Sequence, residues 1–376
     1  MQPGARSLVL FQVEIALRAA LSAARNRHRR KRSRGPTHLF ICLADHFEPQ
    51  VGSAPPEIAR PRLEDWLRRY PLIADNYRDA DGVRPQHTFF YPWDEFDAWE
   101  FDHLQEMCSS GYGEIELHLH HQDDTAQTLR SKLQAALAAY RRAGALSQWK
   151  DGRPAFGFVH GNWALDNSRV EGGRNYCGVN NELQVLAEAG CYADFTFPAW
   201  PQRAQPRQTN SIFYAIDDPA RPKSYDQGVE ACLAKDGKGD LLLIQGPLMG
   251  FRRQGGGGQR NPIAMDDGDL ASYRRYAPSR LDRWVRAGIH IRHRPEWVFV
   301  KLHCHGAADQ NRAALLDNDL NAFFLDAERR YNDGQIYTLH YVTAREMYNL
   351  VKAAELRPDL DVASARNWLL PPPQSP

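Results

Sequence analysis

The feature that most constrains this chain is a recurring pattern: a short, nearly continuous apolar run that turns polar only at its C-terminal end, followed by a segment with helical spacing. "THLFICLADHFEP" (37–49) is the first such run, and "QHTFFYPWDEFD" (86–97), "GEIELHLHHQDDT" (113–125), "AFGFVHGNWALDN" (155–167), "DLLLIQGPLMG" (240–250) and "EWVFVKLHCHGAAD" (296–309) repeat it. "IYTLHYVT" (336–343) reads as a further strand. Runs of this kind are what strands buried on both faces of a parallel sheet or barrel give. Helical spacing follows at 59–77, through Leu63, Trp66, Leu67 and Tyr70, and at 98–109. It recurs at 125–143, through Leu129, Leu133, Leu137 and Tyr140, then over 180–199 as helix, a Gly190 stop and a short strand, and again at 319–331 and 344–356. Alternation of strand and helix implies an α/β architecture. Polar residues gathered at strand C-termini predict the mouth of a (β/α) barrel. A doubly wound sheet shares that trait, but no Gly-rich turn follows the first strand, so the barrel is favoured.

The 376 residues suit one large domain over 35–365, preceded by a distinct segment at 1–34 and interrupted by an irregular insertion at about 200–280. Within the insertion, "RQGGGGQRNP" (253–262) has four consecutive glycines but no following Lys-Ser/Thr, which makes it a flexible loop and not a phosphate cradle. Residues 366–376, ending in "PPPQSP", read as a disordered tail. Six cysteines without a CxxC pair read as reduced thiols, with Cys42 and Cys304 acting as small hydrophobes inside apolar runs.

A formal net charge of +1 gives no global attraction to nucleic acid, yet the charge is unevenly spread. Residues 1–34 hold nine Arg/Lys and one acid, which is +8 and leaves −7 for the rest. In "SLVLFQVEIALRAALSAARNRHRRKRSR" the charge follows the apolar stretch, the reverse of a secretory signal, so none is expected. Helical spacing gathers Glu14, Arg18, Ser22 and Arg25 on one face, with Val9, Val13, Leu17 and Ala20 opposite. That charged stripe argues against a span. It leaves a helix docked on the protein, or one lying on an anionic membrane with its basic tail assisting. The expected location is cytoplasmic, with peripheral contact at the inner face of the membrane as the second option.

The strand exits hold the chemistry: Asp45-His46, then His118, His120 and His121 with Asp123 and Asp124, then His160 with Asn162, then His303 and His305. Period-2 alternation of Ile115, Leu117 and Leu119 sends His118 and His120 to the same face. Neighbouring imidazoles and carboxylates from several strands point to a divalent transition metal. Zn²⁺ suits this thiolate-free set best, and Mn²⁺, Fe²⁺, Co²⁺ or Ni²⁺ also accept it.

The order of these segments resembles the polysaccharide deacetylase superfamily, metal-dependent hydrolases on a distorted (β/α) barrel. "FICLADHFEP" stands where that family has two aspartates at the end of its first strand, and "GEIELHLHHQDDT" where it has its histidine motif. "FGFVHGNWALDN" takes the place of its third motif, "GCYADFTFPA" resembles the segment between, and "VFVKLHCHG" matches its last Leu-His strand. The resemblance covers about residues 37–345 and implies Asp45, His118 and His120 as metal ligands, with His121 as the rival ligand. It implies His303 as the acid that protonates the leaving group, with His305 as its substitute, and a catalytic role for Asp45. Ala44 falls on the family's base position if Asp45 is the ligand, so Asp124, Glu48 or a metal-activated water would supply the base. His160, Asn162 and Trp163 would line the substrate pocket, and Trp93, Trp163 and Trp200 suit stacking on sugar rings. The implied activity is removal of an N- or O-acyl group from a carbohydrate. Two alternatives remain at this stage. One is a carbohydrate-binding barrel without catalysis, motivated by Ala44. The other is a glycoside hydrolase with carboxylates from Asp45 and Glu48, or Asp194.

Overall fold

A computed structural model describes residues 3–31, 35–252 and 263–374. The fold is mixed α/β, with a large, mostly parallel central sheet flanked by helices. The principal strands are β1 (Thr37–His46), β2 (His87–Pro92), β3 (Gly113–Leu119), β4 (Pro154–His160), β5 (Cys191–Asp194), β6 (Ile212–Ala215), β7 (Gly228–Glu230), β8 (Leu241–Ile244), β9 (Asp269–Leu270), β10 (Arg294–Cys304) and β11 (Tyr337–Tyr341). They lie in the order β7-β6-β8-β5-β4-β3-β2-β1-β10-β9. β11 takes Thr37–Ile41 of β1, and β2 takes Leu43–His46. β6 runs antiparallel to β7 and β8, whereas the ladders from β8 through β10 are parallel. The helices that matter here are α1 (Pro3–Arg30), α2 (Pro56–Ala74), α3 (Ala98–Met107), α4 (Ala126–Arg142), α5 (Glu182–Ala189), α6 (Pro278–Ala287), α7 (Leu320–Tyr331) and α8 (Ala344–Leu356). The parallel strands and most helices fall where the sequence pattern puts them.

Strand alternation divides the core in two. Leu39, Ile41 and Leu43 of β1 pack with Leu63, Trp66 and Tyr70 of α2 and with Leu129 and Leu133 of α4. Phe40, Cys42 and Ala44 point the other way and join Phe90, Phe195, Phe299 and the α8 residues Met347 and Val351. α8 begins at a capping box between Thr343 and Glu346 and is buried from Ala344 to Glu355. Its Arg345 reaches Glu114 of β3 at 2.6 Å and closes that second core from below.

Three expectations are corrected or sharpened. Residues 366–370 do not trail away: Leu370 is buried, and the Arg366 guanidinium pairs with Asp79 at 2.9 Å, Asp81 at 2.8 Å and Glu346 at 3.2 Å. The polar composition that reads as a tail is a buried ion network. α1 is docked on the protein, the first of its two options, and the structure settles which face it buries. Phe11, Ile15, Ala19 and Ala23 face the protein together with Ser22 and Asn26, and the stripe through Val9, Val13 and Leu17 faces solvent. The insertion forms the antiparallel β6–β7–β8 corner, while its glycine-rich loop 253–262 lies outside the described residues.

Candidate metal centre

The C-terminal ends of the parallel strands carry the candidate site, and parity decides which residues share it. On β1, Asp45 falls with Leu43 on the α2 side, while His46 falls with Ala44 on the opposite face. Glu48 follows just beyond the strand. His118 of β3 and His120, one residue past its end, come to that same opposite face. Glu48 Oε1 lies 3.3 Å from His118 Nε2 and 3.0 Å from His120 Nε2, and the two ring nitrogens are 3.4 Å apart. Tetrahedral bonds of ~2.0–2.1 Å place neighbouring donors about 3.3–3.4 Å apart, which two of these three separations match, while the 3.0 Å between Glu48 and His120 is also that of a hydrogen bond. Two imidazoles and one carboxylate are a donor set that first-row divalent metals accept.

The surroundings hold the donors in place. The Asp94 carboxylate receives His120 Nδ1 at 3.0 Å and the His120 backbone N–H at 2.8 Å, which leaves Nε2 free to coordinate. Asp94 arrives there because Pro92 is in register with His118, so the chain two residues on lies beside His120. Gly161 gives the ring its space: a Cβ there would come within 2.3 Å of His120 Cδ2. The His118 side chain is inaccessible, whereas His120 and His305 are 28% and 27% exposed, so the centre opens on their side.

Burial alone would raise the Glu48 carboxyl, but hydrogen bonds from His118, His120 and His305 hold it well below its usual range. Burial opposes charge on His120, yet Asp94 and Glu48 outweigh it and push the imidazole up to about 10, so a metal there displaces a proton. His46 is driven well below its usual value by burial and by the nearby His305 and His118, and neither of its ring nitrogens has a partner. His305 goes the other way: burial lowers it, but the Glu48 oxygen 3.0 Å from its Nδ1 raises it above the usual value. The rings of His46 and His305 lie 4.7 Å apart. Burial and the Lys301 ammonium keep His303 well below its usual value.

A cavity of about 90 Å³ adjoins the centre, lined by Trp163, Trp200, Asp269, Tyr273, His303 and His305 among others. Trp163 takes φ +48°, a left-handed conformation unusual for a bulky side chain, and its ring stands 5.7 Å from that of His305. A larger cavity of about 760 Å³ between α4 and α5 contains no histidine.

Other residues singled out from the sequence lie elsewhere. Asp45 does not join His118 and His120: its carboxylate accepts His87 Nε2 at 2.9 Å and the Gly306 amide at 2.7 Å. Asn162 donates to the carbonyls of His121 and Tyr176 and so braces the loop. Trp93 packs on Phe96 and Tyr140. Asp124 pairs with Lys132 and His121, and Asp194 binds Thr196.

Several buried His/Cys/Asp/Glu groups could hold a metal ion by proximity, among them His121, His160, Cys177 and Glu182. In that group the Asn162 amide donates to His160 Nδ1 at 3.2 Å, which places the imidazole proton on Nε2, the atom facing Glu182. Glu182 already accepts His121 at 2.8 Å, the Asp166 amide at 2.6 Å and the Cys177 thiol at 3.2 Å. This is a hydrogen-bonded core cluster, and His160 belongs to it and not to the cavity.

Sequence reasoning placed His46 among the strand-exit residues without a settled role, gave Glu48 the role of a base or of a glycosidase carboxylate, and missed Asp94. The signal was available in the alternation Ala44, His46, Glu48, which continues the inward parity of β1. No family model matches the chain, and no curated protein matches its sequence.

Proposed function

We propose that the chain is a metal-dependent hydrolase that removes an N- or O-acyl group from a carbohydrate, with Glu48, His118 and His120 holding one divalent transition metal. The observation that carries this reading is the convergence of those three donors, 3.0–3.4 Å apart, beside a cavity walled by two tryptophans. Zinc fits the donor set best, and Mn²⁺, Fe²⁺, Co²⁺ and Ni²⁺ compete for it. A metal held there would polarise the acyl carbonyl and acidify water.

The proton traffic falls to two histidines with opposed proton affinities, the arrangement that separates a base from an acid. His46, uncharged and unpartnered, takes a proton from the attacking water. His305, whose Nδ1 stands 3.0 Å from Glu48, gives one to the leaving amine or alkoxide. His303 lines the cavity. Asp45 acts from the far face as a positioning residue, fixing the Gly306 amide next to His305.

The same reading takes the sheet as a distorted (β/α) barrel. A Cβ at Gly246, just past β8, would lie 2.4 Å from the Lys301 carbonyl of β10, and Lys301 Nζ donates to Phe195 O at 2.8 Å, so the two ends approach across the gap. The motif order shared with polysaccharide deacetylases supports the substrate class.

The test is metal content and acyl release from N- and O-acetylated sugar oligomers. Wild type is expected to carry about one metal per chain and His118→Ala to lose it. His305→Gln should keep the metal and the fold, lose about 10²–10⁴-fold in rate, and lose the alkaline limb of the pH profile. Near-zero metal in both wild type and His118→Ala would remove the hydrolase reading. Metal and sugar binding without turnover would favour a non-catalytic binding protein.

A further inference from the structure

We propose that the outward face of α1 docks on an anionic membrane surface and sets the loop bearing Trp200 beside the lipid. Among the described residues one helical stretch, Ser7–Arg30, is long and apolar enough to cross a membrane by length and composition. Its contacts show that it lies along the protein instead. Asn26 donates to the carbonyls of Asn210 at 3.0 Å and Ala287 at 3.1 Å, Arg29 pairs with Glu230 at 2.9 Å, and Glu14 pairs with Arg207 at 2.9 Å. Glu14, Ser22, Asn26 and Arg29 thus meet the protein body, and the apolar stripe is left outside.

That stripe is unusual for a soluble helix. Val9, Leu10, Val13, Leu17 and Leu21 are each between 51% and 70% exposed. At 3.6 residues per turn they fall within an arc of about 120°. Continuing the same arc toward the C-terminal end come the exposed Ala20 and Ala24, and then the exposed Arg27, His28 and Lys31. An apolar ridge ending in cations on one helix face is matched by an acyl-chain boundary with anionic headgroups. A second copy of the chain offers a poorer match, because the arc contains no acid to meet those cations, and the nearest, Glu14, is already paired with Arg18 and Arg207.

The opposite, protein-facing side of α1 is linked to the candidate centre. Gln12 donates to the Pro201 carbonyl at 3.2 Å, and Trp200, which lines the cavity, packs against the cluster of Phe11, Ile15 and Ala19. Resting on the hydrolase reading for this step alone, the preferred substrate class is an acylated sugar carried on a lipid anchor.

The experiment is co-sedimentation of the full chain with vesicles of phosphatidylcholine alone or mixed with phosphatidylglycerol, at low and high salt. Binding is expected only with phosphatidylglycerol and is expected to weaken strongly with salt. Arg27→Gln/Lys31→Gln should reduce partitioning on the order of twentyfold, and Leu17→Asp/Leu21→Asp by about tenfold or more, with circular dichroism and metal content unchanged. Brominated acyl chains should quench wild-type tryptophan emission more than that of Trp200→Phe. Absence of binding, equal binding to both vesicle types, or indifference to either double substitution would overturn the docking. So would a dimer in solution that Leu17→Asp/Leu21→Asp dissolves while vesicle binding is absent. Equal quenching in Trp200→Phe would overturn the link to the cavity. Vesicle binding is read without turnover, so a failure of the hydrolase reading leaves this test standing.

Discussion

Exchanging Glu48 for Gln and, separately, Asp45 for Asn puts the proposed centre to its sharpest test, because the two carboxylates sit three residues apart and only one faces the histidines. Glu48 is the sole anionic member of its donor set, with oxygens 3.3 and 3.0 Å from two ring nitrogens and 3.0 Å from a third. A neutral amide keeps the shape but removes the charge, and its nitrogen cannot accept a hydrogen bond from His305. Changes one shell out from a metal cost about 10–100-fold in affinity. Loss of the only anionic ligand should therefore cost at least about 100-fold, or about 2.7 kcal/mol. Asp45→Asn should leave affinity within about twofold. Its amide oxygen can still accept the Gly306 N–H, and His87, whose Nδ1 has no partner, can move its proton to that atom and accept from the amide through Nε2. Competition titration against a chelator at fixed pH measures both. Metal retained in Glu48→Gln and lost in Asp45→Asn would refute the parity argument and restore Asp45 as the ligand.

Two further outcomes follow from the core. Arg366→Ala strips the cation from buried Asp79 and Glu346 and should lower stability by about 3–5 kcal/mol, read from urea unfolding, whereas a loss below about 1 kcal/mol would mean that residues 366–370 are an appendage. Glu116 is buried, and burial outweighs the Tyr192 hydroxyl and the Gly157 amide, pushing its carboxyl up from 4.5 to about 8. The folded protein thus holds a proton that the unfolded chain releases, so stability should fall as pH rises from about 4.5 to about 8. Glu116→Gln should flatten that slope in a pH series of unfolding midpoints, and an unchanged slope would show that other groups set it.

Much of the fold was legible because burial writes itself into period. The runs at 37–49, 113–125 and 296–309 carry β1, β3 and β10, and Thr343 with Glu346 marks the start of α8 by its capping pattern. The face of α1 was not legible, since spacing separates a polar stripe from an apolar one without saying which meets the protein. Here Glu14, Ser22 and Asn26 found partners in Arg207, Thr209 and Asn210, nearly two hundred residues away. The tail failed for the same reason. Arg366 looks solvent-bound until Asp79 and Asp81 from one turn and Glu346 from α8 are brought to it.

The site itself shows why a count of histidines at strand ends cannot by itself identify ligands. Histidine–carboxylate contacts occur on both faces of the sheet, and they differ in what else the carboxylate accepts. Asp45 holds His87 but also the Gly306 amide, and Glu182 holds His121 but also the Asp166 amide. Those carboxylates organise backbone, and their imidazoles complete a closed network whose net contribution is structural. Among the described residues Glu48 accepts no backbone amide through its side chain, and its side-chain partners are three imidazoles. Nothing in the local chain requires a carboxylate there, and its burial is offset by protons on the imidazoles or by a cation held in their place. The distinction depends on long-range register, Pro92 against His118 and Ala44 against His303, and so appears only when the strands are assembled. A carboxylate whose side-chain partners are imidazoles, next to a cavity and a left-handed tryptophan, could hold a metal ion.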